Sequence, residues 1–580
     1  MPAVASRQSG LRSRCLVGAT LVVVLLATLL AFAPTLDGQF VNWDDDKSVV
    51  GNPGIRGLGA SQLRWMLGAT LLGHYAPLTW LSFALTYVLA GLDPRAYHAG
   101  NLALHAINAG LFVLVARRLL AAAFDEPPRD RDLIAGAAVA ALAWSVHPLR
   151  AENVGWISDR GDVLCGTFYL LAVLGYLRAR STGESPRWGW AGFGSLAAYA
   201  AALLSKEIAI TLPIALVLID AYPLRRLGLG WRRLMAEKTP YVILALGGVA
   251  SAMIARSSIG GWTPYAQHGV GARLGFATFS FAFYPWKTLW PSGLSPLYAV
   301  PESGHLPWWL FAGAAIGVAA ITAAVIGLRH RYPAALVVWA YAVITIAPVS
   351  GVAHAGAQLA ADRYSYLPGL GFALALGGGV VWLLQRPPGG RVIGRAAMLV
   401  AVMLVLVVWG ALAWRQSDYW RSAVAMWQRA VAVDATCAMC NGKLGEALLT
   451  ANRPSDAEAP LRVAMLRSPA SVTPRLNLAI SLAMQGRDAE AEAGFEDARR
   501  LAPDSGAVAG NLAVLYIRQG RVADAVELLT SVGHGLVDQR RADEAIGMLE
   551  RAVALDPRST EARLWLLRAY QERGKARRTH

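Results

Sequence analysis

LVVVLLATLLAFAPTLDGQFVNWDDDKSVVGNP, residues 21–53, runs from side chains suited to hydrocarbon into three consecutive carboxylates, Asp44, Asp45 and Asp46. Charge beside a bilayer is costly, so a chain that keeps it there gains something from it. The apolar run begins at Leu16 behind Arg7, Arg12 and Arg14, flanks that suit either a signal peptide or a first membrane helix. Pro34 stands directly after the small residues Ala31 and Ala33, and many further apolar segments follow. That selects an uncleaved first helix with its N-terminus in the cytoplasm.

Of the 580 residues, 55% are hydrophobic and 16% are charged, and the mean hydropathy is +0.40. Soluble domains carry about 25% charged residues, so the composition is that of a membrane protein. The formal charge of +16 fits basic cytoplasmic loops; no recognition motif accompanies it, and nucleic-acid binding is not expected. Apolar segments recur at 15–33, 98–120, 133–149, 161–179, 188–204, 207–222, 239–257, 306–328, 333–350, 364–384 and 394–414. Each suits a crossing, for about eleven spans. Two other stretches, 75–92 and 273–298, are rich in Trp and Tyr and read as interfacial or re-entrant elements. If both crossed, the basic QRPPGGR loop (385–391) would leave the side that holds the other basic loops.

This topology gathers the unusual polar motifs on the opposite, exterior face: WDDD (43–46), HPLRAENVGWISDRGD (147–162), SKE (205–207), GWTPYAQH (261–268) and QLAADRYSYLP (358–368). Carboxylates in the first could take a proton from an attacking hydroxyl, or hold a divalent cation with a phosphate, or form an exposed acidic turn. The second carries His147, Arg150, Glu152, Asp159, Arg160 and Asp162 around Trp156. Arginines interleaved with carboxylates suit phosphate binding, although juxtamembrane charge alone also fills such positions. Lys206 with Glu207, and Asp362 with Arg363, each open an apolar segment. Either pair alone is an interfacial anchor; together with the acidic loop they suit a phosphate-bearing ligand at the lipid boundary. His74 is a weaker candidate, and His98, His105 and His354 suit packing or helix ends. There is no nucleotide fingerprint, no HExxH, and no ligand set that demands a metal, so the cofactor stays open, with a divalent cation allowed but not required.

Beyond residue 415 the chain repeats with a period of 34: Gly445, Ala457, Leu461, Ala464 and Pro469 recur as Ala479, Ala491, Phe495, Ala498 and Pro503. This is the tetratricopeptide pattern of paired antiparallel helices, in which small residues allow close packing and Pro ends the second helix. A later copy, Ala545, Leu549, Ala552 and Pro557, comes early, which predicts an abbreviated or distorted first helix. Residues 561–575 read as a closing helix. Such solenoids present a concave surface to a protein partner. The expected division is a membrane domain at 1–415, with its first exterior loop at 34–97, and a repeat domain at 416–580. Cys437 and Cys440 lack the His of a haem site and the second ligand pair of a zinc site, leaving a local disulfide or a free thiol pair.

In order, the chain holds an acidic first loop followed by Asn-Pro, then HYAPLTWLSFAL (74–85), HPLRAENVGWISDRGDVL, LLSKEIAITL, DRYSYLPGLGF and a tetratricopeptide tail. In this it resembles the transmembrane and tetratricopeptide-repeat protein O-mannosyltransferases and their bacterial relatives, membrane glycosyltransferases of the GT-C superfamily. The resemblance implies an all-α fold, a polytopic helix bundle of GT-C type followed by a tetratricopeptide α-solenoid. It implies inverting transfer of a sugar from a polyprenyl-phosphate donor to a hydroxyl on a protein or glycan acceptor. The acidic pair carries over to Asp44 and Asp45, one of them the base, with Asp46 extending the pattern. Arg160, Lys206 and Arg363 match motif positions and suit the donor phosphate; His74, His147, Glu152, Asp159, Glu207 and Asp362 take supporting places. Two other readings remain: a polysaccharide-assembly ligase or flippase, and a non-enzymatic scaffold displaying its repeats. Much Ala, Gly, Arg and Leu with little Lys fits a GC-rich bacterium. The chain would then sit in the inner membrane, with acidic loop and repeats periplasmic.

Overall fold

The computed structural model describes residues 2–180, 189–260, 264, 267–301, 304, 306–352, 358–386 and 392–578. Described residues outside loops are almost all helical. Two short strands, Tyr298–Ala299 and Gln358–Ala360, pair antiparallel with Tyr298 opposite Ala360. The chain falls into two compact units, Met1–Met426 and Trp427–His580, with the division inside the helix Ala423–Val433.

Among the described residues of the first unit, seven helices are long and apolar enough to cross a membrane: Arg12–Ala31, Pro94–Ala123, Ile157–Arg180, Trp231–Ser257, Trp308–Gly327, Pro368–Gln385 and Gly394–Asp418. An eighth candidate is the pair Asp130–Ser145 and Pro148–Gly155, bent by 53°. The other expected spans are short: Trp190–Leu203, Leu212–Ala221 and Pro333–Ile346. The two stretches expected at the interface fold as the helices Pro77–Ala90 and Val270–Leu289. Lipid offers no partner to a bare amide, so each apolar segment closes its own backbone hydrogen bonds as a helix. Trp308–Gly327 buries only Ala314 and leaves its other apolar side chains half-buried or exposed.

Within lipid, helices associate through close packing rather than expulsion of water, and small residues set how near they come. At one crossing, a Cβ placed on Gly136 would lie 2.7 Å from the Gly377 carbonyl oxygen. Glycine at both positions therefore lets Asp130–Ser145 and Pro368–Gln385 meet backbone to backbone. That contact fixes the HPLR turn after the first helix beside the DRYS turn before the second. The bend itself falls at Pro148, where an amide donor is missing. His147 caps the new turn, its Nδ1 accepting from the Leu149 amide at 3.2 Å. Toward the other end of Arg160–Arg180, buried Asp220 accepts from Tyr176 and Arg226, and pairs with buried Lys238. Buried charges persist only with partners, and this network ties three helices together.

The second unit is a run of antiparallel helices, Ala438–Thr450, Pro454–Arg467, Val472–Met484, Asp488–Leu501, Gly506–Arg518, Val522–Asp538, Ala542–Leu555 and Thr560–Arg578. Cys437 and Cys440 form a disulfide at the start of the first, with Cα atoms 5.3 Å apart. The early copy has a simple cause, and its first helix is neither short nor broken. A Cβ on Gly445 would meet Leu461, and one on Gly533 would meet Leu549 at 2.5 Å; both pairs are 16 residues apart. Gly533 is thus a first-helix position, while Ala525 and Leu529, buried in the same helix, are second-helix positions. One continuous helix, Val522–Asp538, serves two repeats.

Gly533→Val should push its branched Cβ into Leu549 and cost about 1–3 kcal/mol. Gly547, in the helix Ala542–Leu555, has open space around its Cα. Gly547→Ala should be neutral or stabilising by about 0.5–1 kcal/mol. Thermal unfolding of the two full-length variants, followed by helical circular dichroism, measures the difference.

Candidate active site

The three acids of the first loop diverge because the backbone turns between them. Asp44 has φ of 72°, a left-handed conformation that Asp tolerates better than most side chains. Its carbonyl accepts the amides of Lys47 and Ser48 at 3.1 and 2.7 Å, which starts the helical turn Asp46–Val50. The turn sends Asp45 inward and leaves Asp46 exposed. Asp45 is fully buried; Oδ2 accepts the Val41 amide at 3.0 Å, and Oδ1 accepts the Ser158 amide at 3.0 Å and the Ser158 hydroxyl. Burial pushes its pKa up to about 7 against those donated bonds. Its oxygens are committed to joining two loops. Asp44 is half-buried, and its carboxylate accepts no hydrogen bond from the described residues. Burial raises its pKa above the ordinary carboxylate range, while Arg363 and Lys47, and more weakly His74, draw it down.

Across from Asp44 the HPLRAENVGWISDRGD segment builds a second wall. The Trp156 indole donates to the Trp43 carbonyl at 2.7 Å and stacks on Trp420, ring centres 6.2 Å apart. Glu152, 2% exposed, receives the Arg363 amide at 2.8 Å on one oxygen and the Arg363 guanidinium on the other. The guanidinium lies between the rings of Trp156 and Tyr364, 5.1 and 4.7 Å from their centres. Asn153 links the Arg363 carbonyl to Asp159. The Lys206 ammonium is 3.9 Å from Asp159 Oδ1 and 3.6 Å from Asp162 Oδ2, and neither oxygen accepts a hydrogen bond among the described residues. His74 Nδ1 lies 2.7 Å from Glu207 Oε1. Asp362 accepts from the Tyr298 hydroxyl at 2.8 Å, and burial, with the charge of Glu152, raises its pKa. The short β-ladder holds Tyr298 in place for this bond.

The structure thus brings together Asp44, Asp45, His74, Glu152, Asp159, Lys206, Glu207, Asp362 and Arg363. Two expected residues stand apart. Arg160 is 2% exposed and turns toward the helices Pro77–Ala90 and Pro94–Ala123. It donates to Asn101 and Thr86 at 2.8 Å each, and to the carbonyls of Ser82 and Tyr97. Four hydrogen bonds to the protein make Arg160 a lock between helices, turned away from the cluster. His147 spends Nδ1 on its cap and places Nε2 3.0 Å from the Thr288 carbonyl, so both ring nitrogens are used within the fold. Of the GWTPYAQH motif, residues 261–263 and 265–266 lie outside the described residues. Ser158, Asn153 and Tyr298 are site residues that reading by residue type passes over. The first two lie inside a motif already marked by its charges, and Tyr298 offers no signal beyond its aromatic surroundings. Among the described residues no group of three His, Cys, Asp or Glu is placed to hold a metal ion.

A bundle of apolar helices, a polar cluster built from their connecting turns and a run of helix pairs define an all-α integral membrane protein with a tetratricopeptide solenoid. Tetratricopeptide-repeat family models match residues 408–472, 482–534 and 536–578. The chain is similar in sequence to protein O-mannosyl-transferases. It is 34% identical to human TMTC2 over 166 residues, 27% of this chain and 18% of that protein. It is 37% identical to Drosophila melanogaster Tmtc1 over 185 residues, 30% of this chain and 20% of that protein. Human TMTC1 aligns over 465 residues at 24% identity, 70% of this chain and 50% of that protein. The chain therefore spans half or less of the length of these relatives. Among solved structures, ArnT from Cupriavidus metallidurans bound to undecaprenyl phosphate matches 83% of this chain and 80% of its own, at 16% identity and a TM-score of 0.35. MamA matches 27% of this chain and 90% of its own, at 18% identity and a TM-score of 0.22. Scores this low do not bear on function.

Glu152→Ala leaves the Arg363 guanidinium and amide buried without their acceptor. Losing one member of a buried ion pair costs about 3–5 kcal/mol, and a fall of that size in unfolding free energy in detergent is expected.

Proposed function

We propose that this chain is a membrane glycosyltransferase that moves a sugar from a polyprenyl-phosphate donor to a hydroxyl acceptor, with inversion, at the exterior face of a bacterial inner membrane. The observation that carries the reading is Asp44: a half-buried carboxylate, free of hydrogen bonds from the described residues and held in a left-handed turn, beside the buried cation Arg363. A carboxylate so placed acts as a general base. It takes the proton of the acceptor hydroxyl as the acceptor oxygen bonds to the anomeric carbon. The bond from that carbon to the phosphate oxygen breaks, and its electron pair leaves with the phosphate.

Arg363 and Lys206 meet that phosphate. Both are held by carboxylates and largely buried, and there fixed charges stabilise developing negative charge more than they would in solvent. Asp45 is a positioning residue that staples the acidic loop to Ser158. The donor's lipid tail remains in the bilayer. The relatives' name, protein O-mannosyl-transferase, supports mannose as the sugar and a protein hydroxyl as acceptor. Residues 1–415 would form the transferase domain, and the repeats within 416–580 would hold the acceptor or a partner protein.

Purified full-length protein, given a panel of polyprenyl-phosphate sugars and a hydroxyl-bearing peptide, tests the reading. Asp44→Asn should lower kcat by about 10²–10⁴ and leave donor binding intact, and Asp46→Asn should remain near wild type. A ligase, flippase or scaffold would show no such turnover, and its absence with every donor overturns the proposal. The pH dependence has a fixed sign. Catalysis needs ionised Asp44, whose pKa is raised, so activity should fall with acidification at a pH above the ordinary aspartate value of about 3.9. Asp44→Asn should abolish that limb in whatever activity remains.

A further inference from the structure

His74 forms a pair that the transfer step described above leaves unused. Its position is set by a strained turn: Leu72 and Gly73 are both left-handed, with φ of 53° and 75°. The turn is pinned from behind by a hydrogen bond between the hydroxyls of Thr70 and Ser258, 3.1 Å apart, and Gly73 lies against Ile259. The helix Pro77–Ala90 begins three residues later. Non-glycine residues enter this backbone region only when the surroundings enforce it, and such strain gathers where a side chain must be aimed.

The ring is aimed at Glu207. A carboxylate accepts and does not donate, so the 2.7 Å contact assigns the hydrogen to Nδ1. Nε2 then faces away from Glu207 and makes no hydrogen bond with the described residues. The two side chains are 30% and 28% exposed, so the pair sits at the edge of the polar cluster, within a substrate's reach. A carboxylate behind an imidazole fixes its tautomer and stabilises its protonated form. The charged groups around the pair are Lys206, next to Glu207 in the chain, Arg256, close to Gly73, and Asp44, which His74 influences without a hydrogen bond.

We propose that His74, oriented by Glu207, is the general acid of the transfer, giving its Nε2 proton to the departing phosphate oxygen while Asp44 takes the acceptor's proton. The proposal rests on the glycosyltransferase reading and adds a second catalytic residue to it. The step balances. Before transfer Asp44 is a carboxylate and His74 an imidazolium. The acceptor oxygen bonds to the anomeric carbon and its proton moves to Asp44. The carbon–oxygen bond to phosphate breaks, and the phosphate oxygen leaves with a proton from His74. One proton passing from Asp44 to His74 through solvent restores the starting state. Asp44 and His74 stand on different turns of residues 34–97, with no hydrogen bond between them.

The test uses full-length protein, polyprenyl-phosphate mannose and a serine-containing peptide. His74→Ala should lower kcat by about 10²-fold with little change in the donor KM. Added imidazole should recover part of that loss. The fall of kcat on the alkaline side, where the acid loses its proton, should be absent from His74→Ala. Glu207→Gln, which leaves His74 without the carboxylate that orients it, should lower kcat by less than His74→Ala does. His74→Asn can still donate to Glu207 and so keeps the brace; it should unfold at the wild-type temperature yet match the alanine variant in rate. A wild-type rate in His74→Asn, or a loss in His74→Ala that imidazole does not relieve and that leaves the pH profile unchanged, overturns the proposal. Absence of turnover in the wild-type protein instead removes the transferase reading itself.

Discussion

One carboxylate, Glu152, holds the polar end of this membrane bundle together. It accepts both the main-chain amide and the guanidinium of Arg363, and so binds the turn after one helix to the turn before another. Glu152 and Arg363 are both buried, and a buried charge without its partner is far more costly than a buried pair. The pair therefore cannot open by small degrees. Its rigidity is inherited by what it touches: Trp156 and Tyr364 flank the guanidinium, Trp156 carries Trp43, and Trp43 precedes the acidic turn. The place of Asp44 thus follows from contacts made more than a hundred residues away.

The contact that lets Glu152 reach Arg363 is apolar. Gly136 and Gly377 bring two helices to backbone contact, and no larger residue fits there. Electrostatics chooses the pairing and packing sets its distance. The division of labour among the cations follows the same logic. Arg160, turned toward the carbonyls of Ser82 and Tyr97, serves the helices; Lys206 and Arg363 pair with carboxylates of the polar cluster.

Much of this was legible in the chain itself. Apolar segments, basic loops and the 34-residue period define a membrane bundle with a repeat tail, and four of the five polar motifs assigned to one face meet in space. What separates Asp44 from Asp45 was not legible. Three identical side chains in a row differ only in the direction the backbone gives them, and that depends on a left-handed turn and on Ser158 more than a hundred residues later. Arg160 hides its role for a related reason: the acceptors that consume its donors lie on two other helices and carry no charge to mark them. Tyr298 reaches Asp362 through a two-residue ladder too short to leave an alternating pattern.

The helix Val522–Asp538 changes how the repeat tail behaves as a mechanical object. In an ordinary solenoid each repeat is a separate coin in a stack, and stability is a sum of units and their interfaces. Here two neighbours share a single rod, with Leu529 facing one and Gly533 the other. Fraying that begins at the C-terminal end cannot stop between them, since melting the rod dissolves both. The last repeats form one cooperative block, and a duplication that inserted a whole unit at that junction would have to split a helix to do so.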